Sequence, residues 1–242
     1  MKLIDNVNHR LGEDLKDQIK KGSKLSIAAS SFSIYAYEAL KKELGSIDEM
    51  RFIFSTPTFI EEKFKKHARQ FYIPHIFQEA DLCGGDFELR LKSELNQRAI
   101  ARECSKWVKD KVTFKSNIDS GNAINGMIHL DNGASDGAAY SGLSSFTSSD
   151  LGITHKKGFP TLIQKSEFPQ SSAYLEYFNQ IWENEEDLKD VTSQVQEYFE
   201  NAFKENSPEF IYFITLYNIF NDFLDDISMD NLPNDQIGFK HS

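Results

Sequence analysis

The stretch LSIAASSFSIYAYEALKKELGSIDEMRFIFS, residues 25–55, decides the fold class. Its first six residues form an apolar run of strand length. From Ile34 to Leu44 the pattern is helical, and Gly45 supplies the stop. MRFIFS (50–55) is a second apolar run, closed by Pro57. Strand, helix and strand in immediate succession predict an α/β domain with right-handed crossovers. Upstream, Ile4, Val7, Leu11, Leu15 and Ile19 recur at three- and four-residue steps, which predicts one amphipathic helix over 5–21 ended by Gly22.

Downstream, residues 57–87 break repeatedly and read as an irregular insertion. A long helix follows from Phe87 to Asp110. At 100° per residue, Arg98, Arg102, Lys106 and Lys109 share one face, with Ile100, Cys104, Trp107 and Val108 opposite. The basic stripe is therefore expected in solvent and the apolar one docked. KVTFKS (111–116), AINGMIHL (123–130) and AAYSG (138–142) read as strands, the last two joined by the hairpin loop DNGASDG. TLIQKS (161–166) reads as one more. Beyond Phe168 three helices are expected, over 171–183, 186–205 and 207–227, the last opened by Ser207 as N-cap and Pro208 at its first position.

Composition sets the outer limits. The chain has 242 residues, 40% hydrophobic and 26% charged, enough to bury an ordinary core. Two cysteines, Cys83 and Cys104, give no disulfide framework, so a reducing, cytoplasmic setting is expected. The polar N-terminus does not read as a signal peptide, and no apolar stretch is long enough to predict a membrane span. The net charge of −10 disfavours a phosphate backbone only if it is spread evenly. It is not: eight basic residues face three acids between Arg90 and Lys115, whereas fifteen acids face two lysines between Glu176 and Asp235.

The segment GNAINGMIHLDNGASDGAAYSGLSSFTSSDLG carries a family resemblance. GLSSFT (142–147), followed by Leu151 and Gly152, resembles the Gly-Ser-Ser-Asn-Phe-Thr return segment of phospholipase D-like domains attached to helicases and restriction nucleases. The opening LGEDLKDQIKKGSKLSIAASSFSIYAYEALKKEL and MRFIFSTPTF are similar to the helicase-linked members. SPEFIYFITLYNIF and LPNDQIGFKHS resemble their connector to a Swi/Snf-like motor. The resemblance implies a phospholipase D-like mixed sheet flanked by helices over 1–166 and an all-helical connector over 167–242. The motor is expected outside this chain, since neither a Gly-x-x-x-x-Gly-Lys-Ser/Thr loop nor an Asp-Glu-x-His box is present. ATP and Mg are accordingly expected only for that motor, and no cofactor for the residues in hand.

The family cuts phosphodiesters with a His-x-Lys pair on a strand, the His as nucleophile and the Lys holding phosphate oxygens. Counting back from GLSSFT, that pair falls on Asn125 and Met127 or, with a shorter loop, on His129 and Asp131. The second register keeps Asp136 at the family's Asp spacing but sets an anion where phosphate must bind. Ser145, after Ser144, replaces the Asn of the return segment. The motif is therefore degenerate, and the resemblance implies a non-catalytic accessory module of an ATP-dependent helicase. The alternative is a phosphodiesterase or nuclease with an atypical site around His129 and Asp136, active as a dimer. For His129 a strand position leaning on solvent beside the hairpin is the plainer reading, since a lone His lacks its cation.

The Arg98, Arg102, Lys106, Lys109 stripe admits three readings: a nucleic-acid contact, DNA ahead of RNA, pairing with the acidic C-terminal helices, or plain solvation. His67, His75 and Cys83 match no common metal spacing, and no metal is expected. The aromatic residues of the last helices, Tyr198, Phe199 and Phe210 among them, have core-like spacing. A homodimer is implied by the resemblance alone.

Overall fold

A computed structural model describes residues 2–58, 86–119, 121–133, 136–154 and 161–202, with backbone alone for 86–98 and 200–202. The chain divides into two compact units, residues 1–75 with 96–203 and residues 76–95 with 204–242. All the strands among the described residues lie in the first. They are β1 (Lys2–Ile4), β2 (Lys24–Ala29), β3 (Glu49–Phe54), β4 (Val112–Asn117), β5 (Met127–Asp131), β6 (Gly137–Ser141), β7 (Ile163–Glu167) and β8 (Leu188–Asp190). The helices are α1 (Leu11–Gln18), α2 (Ile34–Ala39), α3 (Lys41–Leu44), α4 (Asp86–Lys111), α5 (Ser171–Trp182) and α6 (Thr192–Ala202).

The eight strands form one open mixed sheet in the order β1-β7-β6-β5-β2-β3-β4-β8. β2, β3 and β4 are parallel, as the strand-helix-strand reading requires, and all other pairs are antiparallel. β5 and β6 are joined by the expected hairpin loop, in which Gly133 takes φ 75° and Asp131 Oδ1 accepts from the Gly133 N–H. Such a loop fits the short antiparallel connection, whereas parallel neighbours need a crossover.

The two sheet faces are unequal. One carries Ile27, Phe52, Phe54, Phe114, Ile128 and Tyr140, and is packed with Leu11 and Leu15 of α1, Trp107 and Val108 of α4, and Val195 and Phe199 of α6. Phe32 joins this core edge-on to Phe52 and Phe114 and stacked on Phe146. The other carries Ala28, Ile53 and Met127 and is covered by Phe178 of α5 with Tyr174, Ile181 and Trp182.

Four local features depart from the sequence reading. The helix expected over 5–21 begins only at Leu11. Ile4 is a β1 residue, and Val7 is exposed. The Asp5 carboxylate accepts from the Val7, Asn8 and His9 N–H groups, and Asn6, at φ 56°, accepts from the Leu11 N–H. These side chains compete with helical backbone bonds and turn the chain before α1 starts. The helix over 34–44 is broken at Leu40, whose φ of −114° is not helical. The single helix expected over 186–205 is a short strand, β8, followed by α6. Thr192 Oγ1 accepts from the Phe114 N–H, and the Val191 N–H donates to the Phe114 carbonyl, which fixes the junction on β4. The sheet and its helices thus continue past residue 167, in the same unit, through α6. The insertion at 57–87 lies outside the described residues from 59 to 85, as does the third C-terminal helix.

Candidate functional site

The C-terminal ends of the parallel strands are where an open α/β sheet exposes backbone and loops to a ligand. Here the GLSSFT segment returns to that end and is strapped to the loop after β2. The Ser30 N–H and Oγ both donate to the Ser144 carbonyl, and Ser30 Oγ shares a 2.8 Å hydrogen bond with Ser145 Oγ. The Phe146 N–H donates to the Ser31 carbonyl, and Ser33 N–H to that of Phe146. Gly142, at φ 92°, turns the chain out of β6 against the Leu162 carbonyl, a position that only glycine fills without strain.

Beside this strap lies a cavity of about 620 Å³. Its floor is Asn125, Gly126 and Met127 at the start of β5 and Ser141, Gly142 and Leu143 at the end of β6; α5 supplies Ala173, Tyr174 and Tyr177. Gly126 packs so closely on the Leu143 carbonyl that a Cβ there would overlap it. The wall is apolar and aromatic with a few polar groups, the usual make-up of a small-ligand pocket. None of these lining side chains is charged. Two cations of the same sheet face are spent on α5 itself: Arg51 donates to Ser26 Oγ and lies over the rings of Phe178 and Trp182, and Lys115 Nζ donates to the Trp182 carbonyl.

Of the residues singled out in the sequence, the first register lands on this cavity and the second does not. Asn125 and Met127 line it, and Ser144 and Ser145 form the adjoining strap. His129 sits in the middle of β5, opposite Ser26 and Ala139, 4% exposed. Asp131 is at the hairpin end. Asp136, beyond it, is an exposed partner of Lys20, whose hydrogen bond holds its carboxyl below the usual range. In α4, Ala101, Cys104, Trp107 and Val108 are buried while Arg102, Lys106 and Lys109 are exposed, as the helical phase predicts. No acid among the described residues pairs with these three cations; the Arg98 side chain lies outside the described set. α4 packs on the sheet face with Phe52 and Phe114, so the stripe and the cavity do not converge on one face. His67, His75 and Cys83 lie outside the described residues. Among those described, no cluster of histidine, cysteine or carboxylate groups could hold a metal, and no helix is long and apolar enough to cross a membrane.

His129 has its own electrostatics. Its Nδ1 has no hydrogen-bond partner. Burial holds its pKa below the ordinary 6.5, Asp131 opposes this, and Arg51 adds to it. Between the lowered folded value and 6.5 the unfolded chain therefore binds the extra proton, so stability falls as pH drops below about 6.5. His129→Leu is expected to flatten that acid limb in thermal melts between pH 7 and pH 5. An unchanged slope would place the histidine in solvent.

The sequence reading missed Tyr174, Tyr177, Gly126 and Arg51. The two tyrosines stand three apart on α5, a helix assigned to the connector, and nothing in their spacing separates a pocket wall from a core stripe. Gly126 carried a signal, an isolated glycine within a strand pattern, which often marks close approach of another backbone. No protein-family model matches the chain, and no curated protein matches it.

Proposed function

We propose that this chain is a non-catalytic phospholipase D-like accessory module of a Swi/Snf-like, ATP-dependent helicase, and that it contributes a nucleic-acid contact. One observation carries the reading. At the crevice where the family's imidazole and ammonium would converge on a phosphate, the first register brings together Asn125, Gly126, Met127, Ser144 and Ser145, all neutral. Phosphodiester cleavage by this chemistry requires a nucleophile and a cation facing one phosphate. His129 supplies neither from its buried place in mid-strand, between Ser26 of β2 and Ala139 of β6. The mixed sheet, the hairpin and the strapped return segment support the likeness to the family scaffold.

The cationic side of α4 supports the contact. Arg102, Lys106 and Lys109 are exposed and turned away from the core, an arrangement that tracks a phosphate backbone by counterion release. The test is fluorescence anisotropy with single- and double-stranded DNA over a range of salt. Binding is expected to weaken as salt rises, and Arg102→Ala with Lys106→Ala is expected to lower the log–log salt slope by roughly one unit per cation removed. Binding indifferent to salt, or an unaltered slope in the double variant, contradicts the contact.

A further inference from the structure

The charge-free cavity is a better receptor for a ring than for a phosphate, and its lining says which kind. A phosphate or carboxylate placed there would leave water without gaining a cation, because no lining side chain is charged. A flat apolar ring meets a different reception. Tyr174 and Tyr177 lie one turn apart on α5 and line the same space, together with Gly126, Met127, Gly142 and Leu143 of the floor. Polar groups sit at the edge. Asn125 is exposed and its side chain makes no hydrogen bond among the described residues, so its amide offers both a donor and an acceptor. Ser141 Oγ and the Tyr174 hydroxyl are 3.4 Å apart, a loose contact that either group can exchange for a ligand atom. Aromatic faces with an amide at the edge are how proteins take an unstacked nucleobase.

We infer that this cavity binds one uncharged purine or pyrimidine ring, stacked against Tyr174 and Tyr177 with its hydrogen-bonding edge toward Asn125. The choice of ring rests on the nucleic-acid reading above. The ring can arrive as a free nucleoside or as an unpaired base of a single strand. Neither source requires a cation in the cavity, since the phosphates of a strand would stay outside.

Calorimetric titration of the full chain with adenosine, guanosine, cytidine and thymidine tests the free source. Short single-stranded oligonucleotides, with and without added nucleoside, test the strand. Nucleosides are expected to bind, ribose 5-phosphate is not, and Tyr177→Ala and Asn125→Ala are each expected to weaken binding about tenfold. Tyr177 is 39% exposed, so its truncation leaves the fold intact, and an unchanged melting temperature checks this. If the strand binds but no nucleoside does, and neither variant alters strand affinity, the ring site is overturned while the nucleic-acid contact stands. If nucleosides bind with the expected losses and no strand binds, the ring site stands and the contact through α4 is overturned. If nothing binds, both fall.

Discussion

Replacing Asp14 by alanine is expected to lower the unfolding free energy by about 3 kcal/mol, because it leaves the buried Lys165 ammonium with the exposed Glu167 carboxylate, 3.8 Å away, as its remaining acid. Lys165 of β7 has a side chain only 4% exposed, and its Nζ lies 2.8 Å from Asp14 Oδ2. The Tyr140 hydroxyl donates to the same oxygen at 2.7 Å, and Lys2 adds a weaker contact to Oδ1 at 3.7 Å. Asp14 thus ties α1 to β7, β6 and β1 through one carboxylate. Burial raises its pKa, but the Lys165 and Tyr140 hydrogen bonds and the charges of Lys165 and Lys2 outweigh that and hold the carboxyl below the ordinary 3.8. Its stabilisation is therefore complete above pH 3.8 and fades only as pH falls through the lower folded value. For a chain of this size the loss corresponds to roughly 10 °C in melting temperature. Asp14→Leu combined with Lys165→Met is expected to recover much of it, since an apolar pair of similar bulk leaves no orphan charge. A loss below about 1 kcal/mol in Asp14→Ala would show that Lys165 reaches water.

Gly126→Ala is expected to cost about 3 kcal/mol, the upper part of the range for forcing atoms into packed space where backbone must move. The new methyl would overlap the Leu143 carbonyl, which belongs to the segment leaving β6 and cannot turn aside as a flexible side chain could. The Gly142 N–H also donates to the Gly126 carbonyl at 3.3 Å, so displacement spreads to the turn on which the strap depends. Gly133→Ala is the control. Unlike Gly126 it has a positive φ, 75°, but a Cβ there meets nothing within 4 Å, so only the conformational term of about 1 kcal/mol applies. Denaturant melts of both variants measure the difference, and equal losses would refute the close approach at the floor of the cavity.

How much the sequence revealed follows from which interactions are local. Residues 25–30 and 50–55 read correctly as strands because their apolar runs are bounded by glycine, proline and serine. The exposed and docked sides of α4 followed from helical phase, and the 131–137 loop from its Asn-Gly turn. Residues 5–10 misled because periodicity continues through Ile4 and Val7 while Asp5 and Asn6 bind backbone N–H groups, a local competition that apolar spacing does not register. β8 was invisible for another reason. It has three residues, two of them exposed, and exists only because β4 offers a free edge. The cavity needs the start of β5, the end of β6 and one side of α5 at once. Asn125 and Met127 were found as motif positions, but the tyrosines that face them come from a helix read as part of a separate connector. His129 reads as leaning on solvent beside the hairpin but is buried in mid-strand between β2 and β6, a burial set by distant strands that local sequence does not register.

The proposed phospholipase D-like scaffold would keep its crevice without the groups that break a phosphodiester. The most direct measurement is turnover of single- and double-stranded DNA, RNA and a chromogenic phosphodiester by the purified chain across pH 5–8. The expected result is no turnover above background, with His129→Ala indistinguishable from the unmodified chain. Cleavage that disappears in His129→Ala would contradict it, because the imidazole would then have to reach a phosphate from a strand where it is only 4% exposed.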